Sequence, residues 1–331
     1  MARVSLVVGL AAAGLLAALL LGGGGAGGAA LPSAATERPA GTLAFVMRSS
    51  RLGSIDVATG HTTERRVRAL AACGPELHVT GGHVFFAGVR KGGTVVYSTP
   101  VSLDQAPTRI GAAHVFVPSA TKGRVWLAGV DCNRVRMVGV REASADGHVT
   151  FASRRRVPGT WIAGAVEGGL VVQRGRTVSL WDPRGGESRR LALKGVFAAY
   201  GSRLLGCRDS SCRKLVILDV ATGAKVAVRL PDGYRPDFAA EFSPDGSLVA
   251  TPAFANRRYS VALVDTRNGS STIVPRSRTG RHYPDLSWSA SSGWLFFRAG
   301  GGRLMAYRPD APRAVTLPFR MPPGAIGFAA G

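Results

Sequence analysis

Few side chains in this sequence are spaced to do chemistry, and the clearest set is three acidic residues that each follow a proline. They are Glu76, Asp237 and Asp285, and His282 lies close to the last of them. If the chain brings them together, they could bind a cation or an amine, or act with His282 as acid and base in a hydrolase or lyase. The alternative is structural, with each carboxylate accepting backbone N–H bonds at the start of a strand.

Nucleophilic and metal chemistry find less support. The chain has no Gly-x-Ser-x-Gly sequence to position a serine nucleophile for a neighbouring histidine. Cys207 and Cys212 lack a second pair of ligands at metal spacing, and no histidine flanks them, which argues against a zinc site. We therefore predict no catalytic residues, no metal and no cofactor.

The four cysteines are better explained as two disulfides. Cys207 and Cys212 bracket a polar loop between two apolar runs, so they can face each other across a β-hairpin, where opposed Cα atoms lie within disulfide range. Cys73 and Cys132 remain and form the second predicted pair. Disulfides are typical of exported proteins, so this usage indicates an oxidising compartment.

The first 30 residues read as a targeting segment. Arg3 is the only charge before an 18-residue apolar run, Val4 to Leu21, which small residues follow. The run is long for a signal peptide and near the minimum for a spanning helix, so cleavage and retention as a membrane anchor both stay open. We expect an exported chain, secreted or anchored in the envelope, with a linker over residues 31–40.

The charge balance excludes several classes of protein. There are 42 Lys and Arg against 20 Asp and Glu, a net charge of +22, yet 46% of the residues are hydrophobic. That apolar content is too high for a disordered basic tail, so the chain folds. Richness in Ala, Gly, Val and Arg is typical of a bacterial proteome of high GC content, which supplies a compositional reason for part of the arginine excess.

A repeat of about 42 residues organises the chain from residue 41 onward. Its marker is a strand end followed by a turn, most often Asp followed by a Gly turn. The seven markers, spaced by 42, 42, 42, 37, 46 and 43 residues, are Asp56, Ser98, Val140, Asp182, Asp219, Asp265 and Arg308. The apolar runs around them are short and alternating, which is the strand pattern. Seven units of this length, with four strands each, predict an all-β, seven-bladed β-propeller over residues 41–331.

The first unit is incomplete, and the tail supplies what it lacks. Residues 42–47 match the second strand of other units, whereas residues 324–330 resemble the innermost strands at 196–200 and 237–240. We therefore predict that the C-terminal strand closes blade 1. Closure of this kind removes the unpaired strand edges of an open array.

Two local motifs resemble those of known propellers. The turn Ser243-Pro244-Asp245-Gly246 resembles the first hairpin turn of WD-repeat and TolB-like β-propellers, and Trp181-Asp182 resembles the WD dipeptide. The resemblance concerns architecture over residues 41–331. It implies that the loops between the second and third strands of each blade lie on one face, where propellers usually bind ligands.

Basic residues are present in each of these seven predicted loops. We call this set the basic loop face, and its proposed binding residues are Arg48, Arg51, Arg90, Lys91, Arg134, Arg174, Arg176, Arg257, Arg258, Arg298 and Arg303, with Arg208 in the fifth loop. The turns between third and fourth strands instead carry Asp104, Glu142, Asp146, Glu187 and Asp310, and we call their side the turn face. A polarised molecule concentrates anions at its positive face. The alternative is a solvated surface that reflects composition alone.

These observations predict an exported bacterial propeller that is not an enzyme and acts as a binding or protein-interaction scaffold at the cell envelope. Its expected partners are an envelope protein, an anionic polymer or lipid head groups. Nucleic acid is not expected, because aromatic residues do not interleave with the arginines. We expect a monomer. Two alternatives remain, namely a hydrolase or lyase that uses Glu76, Asp237, Asp285 and His282, and a tethered accessory subunit of an envelope complex. The five Trp residues are assigned to core packing.

Overall fold

The structure is a computed structural model. It describes residues 38–47, 50–67, 77–90, 93–113, 115–129, 138–237, 239–281, 283–323 and 325–331. The predicted targeting segment and most of the predicted linker, residues 1–37, lie outside the described residues, and so do Cys73 and Cys132. In the described ranges, no helix is long and apolar enough to span a membrane.

Short antiparallel strands form seven sheets in these ranges, and each sheet is one blade. The first three strands of blade 1 are β1 (Thr42–Met47), β2 (Arg51–Asp56) and β3 (Thr62–Arg66). Blade 2 contains β4 (Leu77–Thr80), β5 (His83–Arg90), β6 (Gly93–Pro100) and β7 (Thr108–Ala112). Blade 3 contains β8 (Val115–Pro118), β9 (Arg124–Ala128), β10 (Val138–Ser144) and β11 (Val149–Arg156). Blade 4 contains β12 (Trp161–Val166), β13 (Gly169–Arg174), β14 (Thr177–Trp181) and β15 (Ser188–Arg190).

The remaining blades follow the same order from the innermost to the outermost strand. Blade 5 contains β16 (Gly195–Tyr200), β17 (Arg203–Cys207), β18 (Leu215–Asp219) and β19 (Lys225–Val228). Blade 6 contains β20 (Arg235–Pro236), β21 (Glu241–Phe242), β22 (Leu248–Ala255), β23 (Arg258–Asp265) and β24 (Ser271–Ile273). Blade 7 contains β25 (Leu286–Trp288), β26 (Leu295–Arg298), a 3-10 turn (Gly300–Gly302), β27 (Arg303–Tyr307) and β28 (Val315–Arg320), and β29 (Ala325–Ala330) pairs with blade 1.

Burial along a blade explains the sequence pattern. The second and third strands, such as β1 and β2, have four consecutive buried residues, because neighbouring blades cover both faces of the sheet. The outermost strand of the same blade, β3, has no buried residue and alternates between exposed and half-buried positions. Continuous apolar runs followed by polar alternation therefore mark the order of strands within each blade.

The C-terminal strand closes blade 1, as the sequence predicts. β29 pairs with β1 in an antiparallel register that places Leu43 opposite Ala330 and Phe45 opposite Phe328. Phe45 is fully buried and packs with Phe328 and with Phe296 of blade 7. The predicted fold, a seven-bladed propeller with four-stranded blades and this closure, is confirmed.

The innermost strands follow one another around a closed ring. β4 contacts β8, and contacts continue through β12, β16, β21 and β25 to β29, which contacts β4 again. The turns after these strands meet their neighbours: the Glu167 amide donates to the Gly201 carbonyl at 2.8 Å, and the Asp245 amide to the Ser292 hydroxyl at 3.0 Å. These turns therefore lie on one face, and the loops at the other ends of the strands lie on the opposite face.

The Asp and the Gly of the repeat are both required by the geometry of one turn. The Asp219 carboxylate accepts the Thr222 amide at 3.0 Å, and Asp56 accepts the Thr59 amide at 2.8 Å. The glycine that follows adopts a φ of +77° at Gly223, a conformation that L side chains rarely adopt. The carboxylate closes the turn and the glycine allows it, so the pair recurs at the same turn.

The innermost strand of blade 6 differs from the one predicted at residues 237–240. It is split into β20 and β21, which both pair with β22. Pro252 lies opposite the break and has no N–H to donate, although its carbonyl accepts the Asp237 amide at 3.2 Å. Instead, the Thr251 hydroxyl donates to the Ala239 carbonyl at 3.0 Å. The proline therefore interrupts the ladder beside one of the candidate acids.

Candidate functional site

Two of the three acids that follow a proline, Asp237 and Asp285, lie in one cluster between blades 6 and 7. The Tyr259 hydroxyl donates to Asp237 Oδ2 at 2.8 Å, and the Tyr259 and Tyr283 rings meet edge to face at 5.5 Å. Burial raises the pKa of Tyr283, and the negative charges of Asp237 and Asp285 raise it further. Asp237 and Asp285 therefore flank one tyrosine. Glu76 and His282 lie outside the described residues, so the complete predicted set stays a prediction.

Asp285 is connected through Arg298 to β29, the strand that closes the ring. Its Oδ2 atom lies 2.5 Å from Arg298 Nη2, and Arg298 Nη1 donates to the Ala325 carbonyl at 2.8 Å. Burial raises the pKa of Asp285, and the Arg298 guanidinium opposes this shift. Arg298, which was assigned to the basic loop face, thus links blade 7 to the closing strand of blade 1.

Aromatic rings form the outer wall of this cluster. Phe254 and Tyr259 lie edge to face at 4.8 Å, and the Arg235 guanidinium stacks 4.7 Å above the Phe254 ring. Tyr283 is 38% exposed, so the cluster opens to solvent. Because Asp237 is hydrogen-bonded and Asp285 is ion-paired, the arrangement resembles a structural network more than a pair of free acid–base groups.

A partly buried acid that the sequence reasoning missed, Glu241, lies on the innermost strand β21. Glu241 Oε1 accepts the Ser287 hydroxyl at 3.2 Å and the Trp288 amide at 3.3 Å. The Ser287 hydroxyl in turn accepts the Ala330 amide at 2.8 Å, so the chain of bonds joins β21, β25 and β29. Burial raises the pKa of Glu241 to about 7, against the effect of these hydrogen bonds. The only sequence signal was an acid within a predicted innermost strand.

The basic loop face has exposed arginines on blades 4 and 6. Arg174, Arg176, Arg257 and Arg258 are exposed, and within the described residues none of them is ion-paired. Arg51 is paired instead, with Nη1 2.9 Å from Glu64 Oε2. The remaining members, Arg48, Lys91, Arg134 and the side chain of Arg90, lie outside the described residues. Arg303 begins β27 and is exposed.

Acids of the opposite turn face are engaged in hydrogen bonds to the protein. Hydrogen bonds from Thr59 lower the pKa of Asp56, and those from Ser144 and His148 lower that of Asp146. Glu142 is buried and accepts the Ser119 hydroxyl at 2.5 Å and the Thr150 hydroxyl at 2.9 Å. Asp56 and Asp146 thus stabilise turns, whereas Glu142 lies within β10 and not in the turn where it was predicted. Among the described residues, the exposed Arg174, Arg176, Arg257 and Arg258 have no carboxylate partner.

One tryptophan departs from the core assignment. Trp161 is 49% exposed, whereas the other four are between 2% and 8% exposed. It begins β12 and lies opposite Gln173, next to Arg174, so the start of this strand protrudes beyond the part that neighbouring blades cover. The expectation that all five Trp residues pack in the core is therefore wrong for Trp161.

The hairpin disulfide is present. Cys207 and Cys212 are bonded with their Cα atoms 4.8 Å apart, which confirms the predicted pair. The pairing of Cys73 with Cys132 stays a prediction. Among the residues that the structure describes, no group of three or more His, Cys, Asp or Glu side chains is arranged to hold a metal ion.

Comparison with solved structures supports the fold. The chain is similar to a protein from Lactobacillus plantarum, with a TM-score of 0.56 and 13% identity over 88% of this chain and 100% of that one. It is similar to a functionally unknown protein from Desulfotomaculum acetoxidans DSM 771, with a TM-score of 0.54 and 11% identity over 88% of this chain and 99% of that one. It also resembles the WD40 domain of Toxoplasma gondii coronin, with a TM-score of 0.50 and 16% identity over 85% of this chain and 76% of that one.

No protein-family profile matches the chain, and no curated protein matches it by sequence. At these identities the structural likeness concerns the fold alone. With the seven observed blades, it confirms the resemblance to WD-repeat propellers as one of architecture.

Proposed function

We propose that this chain is an exported bacterial binding protein, without catalytic activity, whose basic loop face holds an anionic partner at the cell envelope. The observation that carries the proposal is the separation of charge between the two faces. Arg174, Arg176, Arg257 and Arg258 are exposed and have no ion pair among the described residues, while acids of the turn face are engaged in turns. Unpaired surface charge of one sign raises the local concentration of the opposite ion.

Export is supported by two independent features. The apolar run over residues 4–21 has the composition of a targeting segment. The Cys207–Cys212 disulfide suits an oxidising compartment. Together they favour a location outside the cytoplasm, where anionic wall polymers and lipid head groups are the abundant polyanions.

Trp161 suggests how a membrane surface could be engaged. Its indole is half exposed at the strand end opposite Gln173, the residue that precedes Arg174, and tryptophan is enriched at the level of lipid head groups because its ring is amphipathic. A basic residue near an anionic membrane contributes about 1 kcal/mol. Binding is therefore distributed over several weak contacts.

The test is co-sedimentation with vesicles of phosphatidylglycerol and phosphatidylcholine, compared with phosphatidylcholine alone. Changing Arg174, Arg176, Arg257 and Arg258 together to Ser is expected to reduce binding at least about a hundredfold, and Arg174→Ala alone about fivefold. The matched control changes four exposed bases of the turn face to Ser, namely Lys122, Arg184, Lys225 and Arg267. It removes the same charge and is expected to bind like wild type.

Two further readouts sharpen the test. Binding is expected to weaken as salt rises, because exposed charges are screened within about 8 Å at physiological ionic strength. Trp161 emission is expected to shift to the blue on vesicles, and Trp161→Phe is expected to abolish the shift. Equal binding by the two four-residue variants, or salt-insensitive binding, contradicts the proposal.

A further inference from the structure

A second basic feature lies in a crevice between blades 6 and 7, and it shares only Arg303 with the basic loop face. The crevice has a volume of about 370 Å³ and is lined by Arg276, Arg278, Ala299, Arg303, Met305, Arg313, Ala314, Val315 and Thr316. One wall is the segment after β24, and the other is formed by β27, the start of β28 and the connection between them.

Its charge is of one sign. Four arginines stand at its rim, all of them exposed, and no carboxylate lines it. In the described part of the chain, none of the four arginines is ion-paired, and Arg303 donates only a long bond, 3.4 Å, to the Gly300 carbonyl. The floor is apolar and buried, formed by Ala299, Met305 and Ala314. Such a crevice attracts an anion that can contact several guanidinium groups at once.

The backbone at Arg276 is unusual. The Ser277 amide donates to the Val274 carbonyl at 3.1 Å, which closes a turn with Pro275 and Arg276 at its centre. Arg276 has a φ of +63°, at the position where this turn favours glycine. An arginine therefore occupies a glycine position and projects a charge over the crevice, at a conformational cost that glycine would avoid.

Hydrogen bonds hold the two walls together. The Ala314 amide of blade 7 donates to the Pro275 carbonyl of blade 6 at 3.0 Å. The Ser277 hydroxyl accepts the Val261 amide at 3.0 Å, which anchors the turn to its own blade. The backbones that carry Arg276 and Arg313 are thus fixed relative to one another, and preorganisation lowers the entropy cost of binding.

We propose that this crevice is a binding site for a multiply charged oxyanion of phosphate type, such as a pyrophosphate or a phosphorylated small molecule. Planar guanidinium groups pair with phosphate oxygens through parallel N–H bonds, which suits four arginines around one ligand. The apolar floor leaves room for a non-polar portion of the ligand. Apart from Arg303, its arginines are not members of the basic loop face, so the site does not depend on the anion-binding role proposed for that face.

The test is isothermal titration calorimetry of the folded chain with inorganic pyrophosphate at low ionic strength. Arg276→Gly combined with Arg313→Gln removes two charges while the turn at residue 276 gains its preferred residue. We expect this variant to bind at least about tenfold more weakly than wild type, since each charged hydrogen bond lost contributes appreciably. The control, Lys122→Gln with Lys225→Gln, removes the same charge from the turn face and is expected to retain wild-type affinity.

The outcomes separate the two proposals. Loss of pyrophosphate binding in the crevice variant alone supports the site. Absence of binding by wild type, or an equal loss in both variants, overturns it. In the vesicle assay the crevice variant is expected to bind like wild type, so a failure of the loop-face proposal leaves this result unaffected.

Discussion

At each of two junctions between innermost strands a titratable side chain is partly buried, a base at one junction and an acid at the other. Where β4 meets β8, the His78 ring lies edge-on to Phe116 at 5.2 Å, and burial lowers its pKa to about 4. Where β21 meets β25, burial raises the pKa of Glu241 to about 7. In both places the enclosed channel wall favours the uncharged form. The comparison shows that one physical cause gives the two junctions opposite responses to pH.

The direction in which stability changes with pH depends on whether the folded or the unfolded chain binds the proton more tightly. Folded Glu241 keeps its proton up to about pH 7, so its contribution to stability is full below its ordinary pKa of 4.5 and is lost as pH rises to about 7. Folded His78 resists protonation, so its contribution is full above its ordinary pKa of 6.5 and is lost as pH falls toward 4. Between pH 4.5 and 6.5 the two trends oppose each other.

The largest effect is expected from breaking the ring. Deletion of residues 322–331 removes β29, and with it the Ala330 amide that supports Ser287 at the glutamate junction. It also leaves the edge of β1 unpaired, so that this edge can pair with a strand of another chain. We expect loss of the cooperative thermal transition and aggregation, measured by circular dichroism and light scattering. A truncated protein with an unchanged melting temperature would show that closure does not depend on this strand.

Next in size is Glu241→Gln, which keeps the shape and the acceptor but cannot ionise. At pH 8 we expect the variant to be more stable than wild type by up to about 3 kcal/mol, because wild type must ionise a carboxyl in the channel wall. Some exposure to the channel makes this an upper limit. At pH 4.5 the two proteins should be alike. Urea unfolding across this range measures the difference, with the exposed, ion-paired Glu64→Gln as the control.

The histidine junction should respond in reverse. We expect His78→Gln to resist the loss of stability that wild type suffers in acid, with a difference of about 2 kcal/mol at pH 5 relative to pH 8. The free energy of unfolding by urea is again the measurement. If His78→Gln instead gained stability over wild type as pH rises, as is expected of Glu241→Gln, burial would not control these junctions.

The smallest effect is expected at a junction without a titratable group. A Cβ atom at Gly164 of β12 would lie 2.7 Å from the Ala199 Cβ of β16, so the two strands must separate slightly in Gly164→Ala. We expect a loss of about 1 kcal/mol that does not vary with pH. Gly293→Ala, where the nearest atom is an ordinary 3.4 Å away, serves as control. A pH-dependent loss at Gly164 would contradict the assignment of the pH response to Glu241 and His78.

Much of the fold was predictable because it repeats. The Asp-Gly turn has a local cause, a carboxylate that accepts amides of the turn and a glycine with positive φ, so it left a clear mark in the sequence at four of the seven units, at Asp56, Asp182, Asp219 and Asp265. The closure by residues 324–330 was predictable for the same reason, since the missing strand of blade 1 resembled other innermost strands. The Cys207–Cys212 bond required only hairpin spacing.

The candidate site was less predictable because it depends on contacts between blades. That Asp237 and Asp285 flank Tyr283 follows from how blades 6 and 7 pack, which no local pattern encodes. The role of Arg298 at the closure and the exposure of Trp161 also follow from the positions of neighbouring strands. Glu241 was overlooked because it precedes a recognisable turn, and the turn explained the residues around it.

The pairing of Leu43 with Ala330 has a consequence for the order of events during biosynthesis. Blade 1 is begun first and completed only after the other six blades have been made. The edge of β1 therefore stays unpaired until β29 has been synthesised. Contacts between such distant residues are slow to form, and a chain in this condition is prone to misassembly. A nascent chain that stalls before β29 is therefore an open arc of blades rather than a smaller ring.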